Sequence, residues 1–371
     1  MTTPWLIDTT LRDGEQAAGV AFSTDQAFRI AEKLASIGIP ELEIGTPAMG
    51  NAEVEKMRRI VRADLGCRTT AWCRACESDI DAAYEAGVSA VHISLPVSDI
   101  HLNALKKNRA WVLERSQTLI HLAKQRFSYI SVGAQDASRT DAEWLRQFGL
   151  HLADWGAKRL RIADTVGVWD PIQCYEAVRA LRSTLPNLDL GVHTHNDLGM
   201  ASANAIAALR AGADAVDVTV NGLGERAGNA ALEEVVMAIE VARGMRSNMV
   251  LKELTALSQL VAECAGREIH YQKPVVGQGA FAHESGIHVH ALLRDRRTYE
   301  PFASELLGRK RPDFVIGKHS GITALKSALD ALGLSVGPAR LGEILTRIRR
   351  RAEELDGALT EQDLVVLATS G

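Results

Sequence analysis

The chain is poor in the features that mark several special classes of protein. Its 371 residues include only five cysteines, an odd number that does not fit a disulfide framework. Cys73 and Cys76 form a lone CxxC pair, whereas a zinc ribbon requires two such pairs. Positive charge is not in excess, since the formal net charge is −4 and the densest basic run, at 347–351, is typical of a solvated helix face. We therefore expect no nucleic-acid partner.

Long apolar runs are also missing. Nowhere do about eighteen apolar residues follow one another, and residues 1–16 hold no apolar segment of the kind that signal peptides carry. The sequence thus predicts a cytoplasmic protein with no membrane partner. Hydrophobic residues make up 46% of the chain and charged residues 24%, which is ordinary for a globular protein. The length suffices for an α/β barrel of about 250 residues and a further region.

What the sequence does contain is a unit that recurs along its first two thirds. A helical stretch ends at a glycine, and a short β-branched strand that is apolar enough for burial on both faces follows a few residues later. This unit occurs at 36–45, 85–94, 154–164 and 210–220. Further strands are predicted at 6–11, 68–73, 129–136 and 190–197. Helices are predicted at 24–37, 51–64, 77–87, 109–126, 140–156, 171–185, 199–211 and 229–243.

Eight strands thus alternate strictly with eight helices. Such alternation requires parallel strands joined by right-handed crossovers. A doubly wound sheet is the rival, but no GxGxxG follows the first strand, and eight units are what closure of a barrel uses. We predict a (β/α)₈ TIM barrel over 1–265, a Gly- and His-rich linker subdomain over 266–320 and a helical C-terminal subdomain over 321–371.

A metal site is predicted at the mouth of this barrel. His193 and His195 lie two apart at the end of the seventh strand, so their side chains point to the same side, although two core histidines would share this spacing. Asp13 follows the first strand and adds a carboxylate, and Asn229 after strand eight adds an amide oxygen. Because strand eight lies between strands seven and one in a closed barrel, these groups border one mouth. They suit a divalent ion such as Mg²⁺, Mn²⁺ or Zn²⁺.

Two neighbours of the predicted ligands are candidates for substrate contact. Arg12 stands beside Asp13, where its guanidinium can hold a substrate oxygen and stabilise a developing enolate charge. The alternative is a plain ion pair with Asp8 or Asp13. Thr165, at the end of strand six, offers a hydroxyl and a backbone N–H to a carboxylate.

These motifs resemble a known family. The segments 8–16, 193–204 and 221–234 (DTTLRDGEQ, HTHNDLGMASAN and NGLGERAGNAALEE) are similar to the DRE-TIM metallolyases, which include homocitrate, isopropylmalate and citramalate synthases and hydroxymethylglutaryl-CoA lyase. The segments 281–293 and 315–321 resemble the synthase branch, and within it the homocitrate synthases associated with nitrogenase. The resemblance implies condensation of acetyl-CoA with a 2-oxo acid, 2-oxoglutarate being favoured and homocitrate the product.

The resemblance also implies roles for residues of the barrel. Asp13, His193 and His195 match metal ligands, and Asn229 matches an asparagine at or just outside that shell. Arg12 matches the arginine that stabilises the enolate and contacts the 2-oxo acid. Substrate contacts are further expected from Thr165, which matches a residue that binds the C1 carboxylate of the acceptor, and from Gln16 and Gln135.

The C-terminal region contributes by the same resemblance. His288 matches a histidine that helps to deprotonate acetyl-CoA, and Tyr299 matches a tyrosine near the same step. In the family this region comes from the neighbouring subunit, so a homodimer with an active site completed in trans is expected. His283 and His290 flank His288 in sequence and are read as hydrogen-bonding rim histidines or as part of a second metal cluster.

The chain departs from the family at two points. Gln135 stands where the family usually has a glutamate, and a neutral amide cannot act as a general base, so this carboxylate is dispensable or its role has moved to Glu284. The stretch 131–135 also lacks the arginine that binds the distal carboxylate of 2-oxoglutarate in related synthases. Pyruvate, 2-oxoisovalerate and a phosphonate analogue therefore stay open as acceptors.

Three further readings compete with a synthase. A retro-aldol acyl-CoA lyase would carry a cysteine-containing loop after strand eight, where this chain reads NGLGERAGN. An iron oxygenase would share a set of two histidines and one carboxylate, but such sites generally occur in jelly-roll folds. A non-catalytic barrel is the third, because Gln135 breaks one pattern of the family.

Overall fold

The computed structural model describes residues 3–242, 246–310 and 314–370. The chain forms two compact units, Met1–Ile269 and His270–Gly371. None of the helices in the described residues is long and apolar enough to cross a membrane.

The first unit is a closed barrel of eight parallel strands in sequence order. The closing pair joins β1 to β8, with Trp5 beside Ala215 and Asp8 beside Val218. The strands are β1 (Trp5–Asp8), β2 (Glu41–Glu43), β3 (Arg68–Arg74), β4 (Ala90–Pro96), β5 (Tyr129–Gln135), β6 (Arg159–Asp164), β7 (Asp189–Thr194) and β8 (Ala215–Val218). The predicted (β/α)₈ barrel, followed by a helical C-terminal region, is confirmed.

Helices connect the strands and surround them. They are α1 (Thr24–Ser36), α2 (Asn51–Arg62), α3 (Glu77–Ala86), α4 (Asp99–Ala104), α5 (Arg109–Lys124), α6 (Ala142–Trp155), α7 (Pro171–Thr184), α8 (Ala201–Ala211), α9 (Leu232–Met237) and α10 (Leu254–Ala265). Gly87, Gly156 and Gly212 end their helices in the left-handed conformation, as the sequence predicted for these glycines. The helices α4 and α10 were not predicted.

The segment after β1 differs from the prediction. A strand was expected over 6–11, but β1 ends at Asp8 and the chain turns into a π-helical segment, Thr10–Gly14. Oδ1 of Asp8 accepts a hydrogen bond from the backbone N–H of Thr10 at 2.9 Å, and the Thr10 hydroxyl accepts one from Val220 N at 2.9 Å. These bonds end the strand because the backbone N–H of Thr10 bonds to Asp8 and is not available to a neighbouring strand. The turn they stabilise carries Arg12 and Asp13.

The barrel interior holds charged pairs where TIM barrels mostly hold branched aliphatic side chains. The carboxylate of Glu41 on β2 accepts hydrogen bonds from both terminal nitrogens of Arg159 on β6, at 3.1 and 3.0 Å. One layer nearer the carboxyl ends of the strands, Glu43 binds Arg161 at 2.8 Å. Strands β2 and β6 are therefore buried on both faces, as expected, but through ion pairs rather than apolar side chains alone.

The second unit contains four α-helices in its described part. They are α11 (Gly286–Leu292), α12 (Ile322–Ala331), α13 (Pro338–Glu354) and α14 (Glu361–Thr369). Val289 and Ile316 pack in one apolar core with residues of α12 and α13, such as Leu325 and Ile348. The predicted linker subdomain thus shares a core with the helices that follow it. The domain boundaries at 265 and 320 stay a prediction.

Candidate metal centre

Three buried ligand atoms converge at the carboxyl ends of the barrel strands. Nε2 of His193 lies 3.1 Å from Oδ2 of Asp13 and 3.2 Å from Nε2 of His195. The remaining edge, from His195 Nε2 to Asp13 Oδ2, measures 4.0 Å. Two atoms each about 2.1 Å from one ion stand about 3.0 to 3.4 Å apart at octahedral or tetrahedral angles. The triangle therefore has nearly the size that one divalent cation would span.

The fold explains how residues far apart in sequence meet here. Asp13 lies in the turn after β1, and His193 is near the end of β7, with β8 between these two strands. His195 follows the end of β7 and forms an isolated antiparallel bridge with Asn229. Asn229 was expected to open the last helix of the barrel, but α9 begins at Leu232, and the bridge to His195 is what places Asn229 beside the site.

The oxygen atoms at this site fit a cation. Oδ2 of Asp13 and Oδ1 of Asn229 are buried without a hydrogen-bond partner in the described residues. The amide nitrogen of Asn229 donates to the carbonyl of Leu223 at 3.1 Å, so its amide oxygen is the free end. Buried oxygens without a donor cost free energy unless a ligand satisfies them. Asp13, His193 and His195 thus form a metal-binding constellation, and no second such group of three occurs in the described part of the chain.

The metal ligands belong to a closed circuit of ion pairs. Oδ2 of Asp217 on β8 lies 2.9 Å from Nδ1 of His193 and 2.8 Å from Arg161 Nη1. Arg161 joins Glu43, and Glu43 binds Nε of Arg12 at 2.5 Å. Nη1 of Arg12 returns to Oδ1 of Asp13 at 3.0 Å, which closes the circuit. Such outer partners fix the orientation of ligating side chains.

The same contacts set the protonation of the ligands. Burial alone would raise the pKa of Asp13, but the charge of Arg12 and the bond to His193 hold it well below its usual value. Burial, with the charge of His193, lowers the pKa of His195 to about 4. Asp13 is therefore anionic and His195 neutral near pH 7, which are the states that bind metal ions.

A cavity of about 180 Å³ opens beside these ligands. Seven of the predicted site residues line it, namely Arg12, Asp13, Gln16, Gln135, Thr165, His193 and His195. The structure thus gathers the barrel residues that the sequence proposed, with Asn229 reached through the bridge to His195. Their roles in binding and catalysis stay predictions.

Thr165 is oriented for donation into this cavity. Its hydroxyl oxygen accepts a hydrogen bond from the backbone N–H of Asp136 at 2.8 Å, so the hydroxyl proton remains available. The carbonyl of Thr165 accepts a bond from Arg226 at 2.8 Å, and Arg226 is held by Asp197 at 2.8 Å. Arg226 lies in the GERAG motif and lines the cavity, but no pattern in the sequence singled it out.

Sequence reasoning missed several residues that form the walls. His92, Trp72 and Arg161 line the cavity, and Glu43 and Asp217 hold its ligands in place. A signal existed for two of them, because Glu43 and Arg161 are each the second of two like charges spaced by two within a short buried strand. This spacing points both charges into the barrel.

Two of the predicted residues of the second unit, His288 and Tyr299, contact each other. The rings of His288 and Tyr299 stack with their centroids 4.0 Å apart, and His283 lies 6.4 Å from His288. Oε1 of Glu284 accepts a hydrogen bond from the backbone N–H of His319 at 2.9 Å. The proximity of His288 and Tyr299 supports a shared role. Their catalytic function and their delivery from a partner subunit stay predictions.

The chain is thus a TIM-barrel protein with two histidines and one aspartate at its mouth that could hold a metal ion. A family model described as HMGL-like matches residues 3–261, and one described as homocitrate synthase post-HMGL domain-like matches residues 275–356. The chain belongs to the HMGL-like family.

Individual relatives agree with this membership. The chain is 45% identical to homocitrate synthase 1 of Nostoc sp. strain PCC 7120, over 97% of this chain and 95% of that protein. It is 44% identical to 2-isopropylmalate synthase 2 of Caldanaerobacter subterraneus subsp. tengcongensis, over 98% of this chain and 94% of that protein. The solved hydroxymethylglutaryl-CoA lyase of Pseudomonas aeruginosa is 21% identical, with a TM-score of 0.64, over 71% of this chain and 94% of that chain. This last likeness shows the fold alone.

Proposed function

We propose that the protein is a metal-dependent synthase that condenses acetyl-CoA with a 2-oxo acid and hydrolyses the thioester. We take 2-oxoglutarate as the acceptor and homocitrate as the product. The observation that carries the proposal is the convergence of Asp13, His193 and His195 beside a cavity that Arg12 also lines. The relative from Nostoc, named a homocitrate synthase, supports the acceptor.

The metal would be Mg²⁺, Mn²⁺ or Zn²⁺, held by Asp13, His193 and His195, with Asn229 at the edge of its shell. A divalent ion bound there supplies Lewis-acid polarisation of the acceptor ketone, a contribution of several kcal/mol in comparable sites.

Arg12 is placed to stabilise negative charge on oxygen. Its Nε and Nη1 are fixed by Glu43 and Asp13, and its guanidinium carbon lies 5.6 Å from the centre of the Trp72 ring. A cation held this firmly needs little reorganisation when charge develops, so it favours the transition state over the bound substrate. Thr165, with its free hydroxyl proton, would bind the C1 carboxylate of the acceptor, and Gln16 and Gln135 would border it.

Condensation requires a base for the acetyl methyl group. Gln135 has no basic group, so we propose that His288 is the base that removes the methyl proton. The ring of Tyr299 is stacked against the His288 ring. The methyl carbon then bonds to C2 of the acceptor, and the ketone oxygen becomes a hydroxyl by taking up the proton that His288 removed. Water cleaves the thioester and releases the CoA thiol and a carboxylate. Glu284 is the second candidate base, and the proposal includes a homodimer in which the base comes from the partner subunit.

Release of free CoA tests the proposal directly. The protein is loaded with Mn²⁺, and free thiol is measured with acetyl-CoA and, in turn, 2-oxoglutarate, pyruvate and 2-oxoisovalerate. We expect the highest kcat/KM with 2-oxoglutarate, loss of turnover with a chelator, and recovery when the ion is restored. No thiol above the blank with any acceptor would overturn the synthase assignment.

The same chemistry on another acceptor is the alternative, supported by the relative named 2-isopropylmalate synthase. Higher kcat/KM with 2-oxoisovalerate would favour formation of isopropylmalate, and with pyruvate formation of citramalate. An association with nitrogenase stays a prediction from the sequence.

A further inference from the structure

The cavity has a second wall, which is formed by residues of β4, β5 and β6. Asp13 comes from the turn after β1 and His193 from β7, whereas three other lining residues, His92, Gly133 and Arg161, come from β4, β5 and β6. In a closed barrel of eight strands in sequence order, β5 stands four strands away from β1 in either direction. A small molecule held at one end by the metal site can therefore reach this second wall within the same cavity.

Arg161 presents unused hydrogen-bond donors at this wall. Its side chain is only 4% exposed, and Nη1 alone contacts Glu43 and Asp217, both at 2.8 Å. Nε and Nη2 have no hydrogen-bond or ion-pair partner among the described residues, and the residue lines the cavity. A guanidinium donates best to an anion with two oxygens in one plane, and these two nitrogens are free to donate to such an anion in the cavity. The arrangement is that of an anion subsite.

His92 stands beside Arg161 because Gly133 has no side chain. A Cβ atom at Gly133 would lie 2.5 Å from Nε2 of His92, so only glycine leaves room for the imidazole. Nδ1 of His92 lies 2.9 Å from the Ser131 hydroxyl, which leaves Nε2 for a ligand. Burial and the charge of Arg161 lower the pKa of His92 well below its usual value, so the ring is neutral. A neutral imidazole that accepts from Ser131 can donate from Nε2.

We propose that Arg161, with His92 beside it, binds the second acidic group of the acceptor, so that the protein uses 2-oxo acids with two acidic groups. The inference rests on the proposed function and adds the class of acceptor to it. A carboxylate or a phosphonate fills the subsite and pairs with the free donors of Arg161. A branched aliphatic acceptor leaves those donors buried and unpaired, and sites of this kind discriminate strongly against such analogues.

Arg161→Lys is the direct test, and Arg159→Lys is its matched control. Arg159 lies two residues earlier on β6 and also forms buried ion pairs, with Glu41, but it does not line the cavity. The measurement compares kcat/KM for 2-oxoglutarate and for 2-oxobutyrate, which lacks the second acid. We expect Arg161→Lys to lower kcat/KM for 2-oxoglutarate about 10- to 100-fold, mainly through KM, the range for a lost charged hydrogen bond. The loss of kcat/KM should be smaller for 2-oxobutyrate than for 2-oxoglutarate, and Arg159→Lys should not alter the ratio of the two values.

A binding measurement separates this inference from the chemistry. Calorimetry of Mn²⁺-loaded protein with 2-oxoglutarate or 2-oxobutyrate, without acetyl-CoA, should show tighter binding of 2-oxoglutarate, and Arg161→Lys should remove the difference. Oxaloacetate and 3-phosphonopyruvate, assayed in the same way, distinguish carboxylate from phosphonate. If Arg161→Lys does not fold, His92→Phe is the second test, because phenylalanine keeps a ring at this position but has no nitrogen donor. This variant should weaken the binding of 2-oxoglutarate more than that of 2-oxobutyrate.

Two results would overturn the subsite. One is wild-type protein that binds and uses 2-oxobutyrate as well as 2-oxoglutarate. The other is an equal loss for both acceptors in Arg161→Lys and in His92→Phe. Either result would leave the proposed condensation reaction unaffected. Absence of CoA release with every acceptor counts against the proposed function instead, and the calorimetric preference still decides the role of Arg161.

Discussion

Nδ1 of His193 lies 2.9 Å from Oδ2 of Asp217, a carboxylate on the neighbouring strand β8. In the neutral form of His193, which is the form that binds a metal ion, this contact fixes the proton on Nδ1, and the lone pair of Nε2 then points toward Asp13 and His195. Metal-binding histidines commonly have such a partner, because it sets the tautomer and makes the ligand more basic. Asp217 is thus part of the metal site although it is not expected to touch the ion.

Asp217→Asn should weaken metal binding about 10- to 100-fold, the usual effect of losing a partner of a ligating histidine. Titration of metal-free protein with Mn²⁺ or Zn²⁺ in a calorimeter gives the affinity. Asp189→Asn is the control, since Asp189 begins β7 and accepts a hydrogen bond from Tyr129 at 2.8 Å, away from the ligands. Equal affinities in wild type and Asp217→Asn would contradict the role.

His193→Ala should abolish CoA release and leave the barrel folded, because it removes one ligand and the link to Asp217 but no apolar packing. The checks are turnover, bound metal per chain and the far-ultraviolet circular dichroism spectrum. His151→Ala is a matched control on the exposed face of α6, where His151 stacks on Trp155. Activity that survives in metal-stripped His193→Ala would refute metal-dependent chemistry.

Arg12→Lys should lower kcat about 10²- to 10³-fold with a smaller effect on metal affinity. Lysine keeps a positive charge near Glu43 and Asp13 but cannot contact both and also reach a substrate oxygen. Steady-state kinetics and metal titration together separate the two effects. Arg68→Lys, which alters an ion pair with Glu41 deeper in the barrel, should leave kcat near that of wild type.

Asp8→Asn should stabilise the protein more at pH 8 than at pH 5. Burial raises the pKa of Asp8 from 3.8 to about 7, against the opposing bonds from Thr10. The folded state therefore holds this proton more tightly than the unfolded state, so stability falls as the pH rises from about 4 to 7. The loss is on the order of 4 kcal/mol at most, and asparagine avoids it while its oxygen keeps the bond from Thr10.

Urea unfolding of metal-free wild type and Asp8→Asn at both pH values measures this difference. A gain that is the same at pH 5 and at pH 8 would show that Asp8 is ionised in the folded protein.

Much of the architecture could be read from the sequence. Four units that carry a glycine between helix and strand, together with four further strands, predicted the barrel, since each strand needs a crossover helix of its own. His193 and His195 were predicted to point to the same side because they lie two residues apart on a strand. Asp13 could be added only because barrel closure brings strands one and seven close together.

The remainder depends on contacts that no local pattern encodes. The π-helical turn after β1 follows from bonds of Asp8 and Thr10, the second with Val220, far along the chain. The sequence directed attention to 131–135 for a cation that binds the acceptor. The structure instead places Arg161, on the next strand, beside Gly133. Ion pairs across the barrel orient Arg161 toward the cavity. These pairs join strands that are distant in sequence, so no local pattern predicts them.

The two glutamates on β2 and the two arginines on β6 have a consequence for how the barrel forms. The strands stand on opposite sides of the ring and share no backbone hydrogen bonds, so Glu41–Arg159 and Glu43–Arg161 act as internal cross-braces. A fragment that ends before β6 would keep Arg68 beside Glu41 and Arg12 beside Glu43, but it would lack the buried partners Arg159 and Arg161. A chain that contains only half of this barrel therefore lacks part of its stabilising contacts. The barrel gains its full stability only when both sides are present.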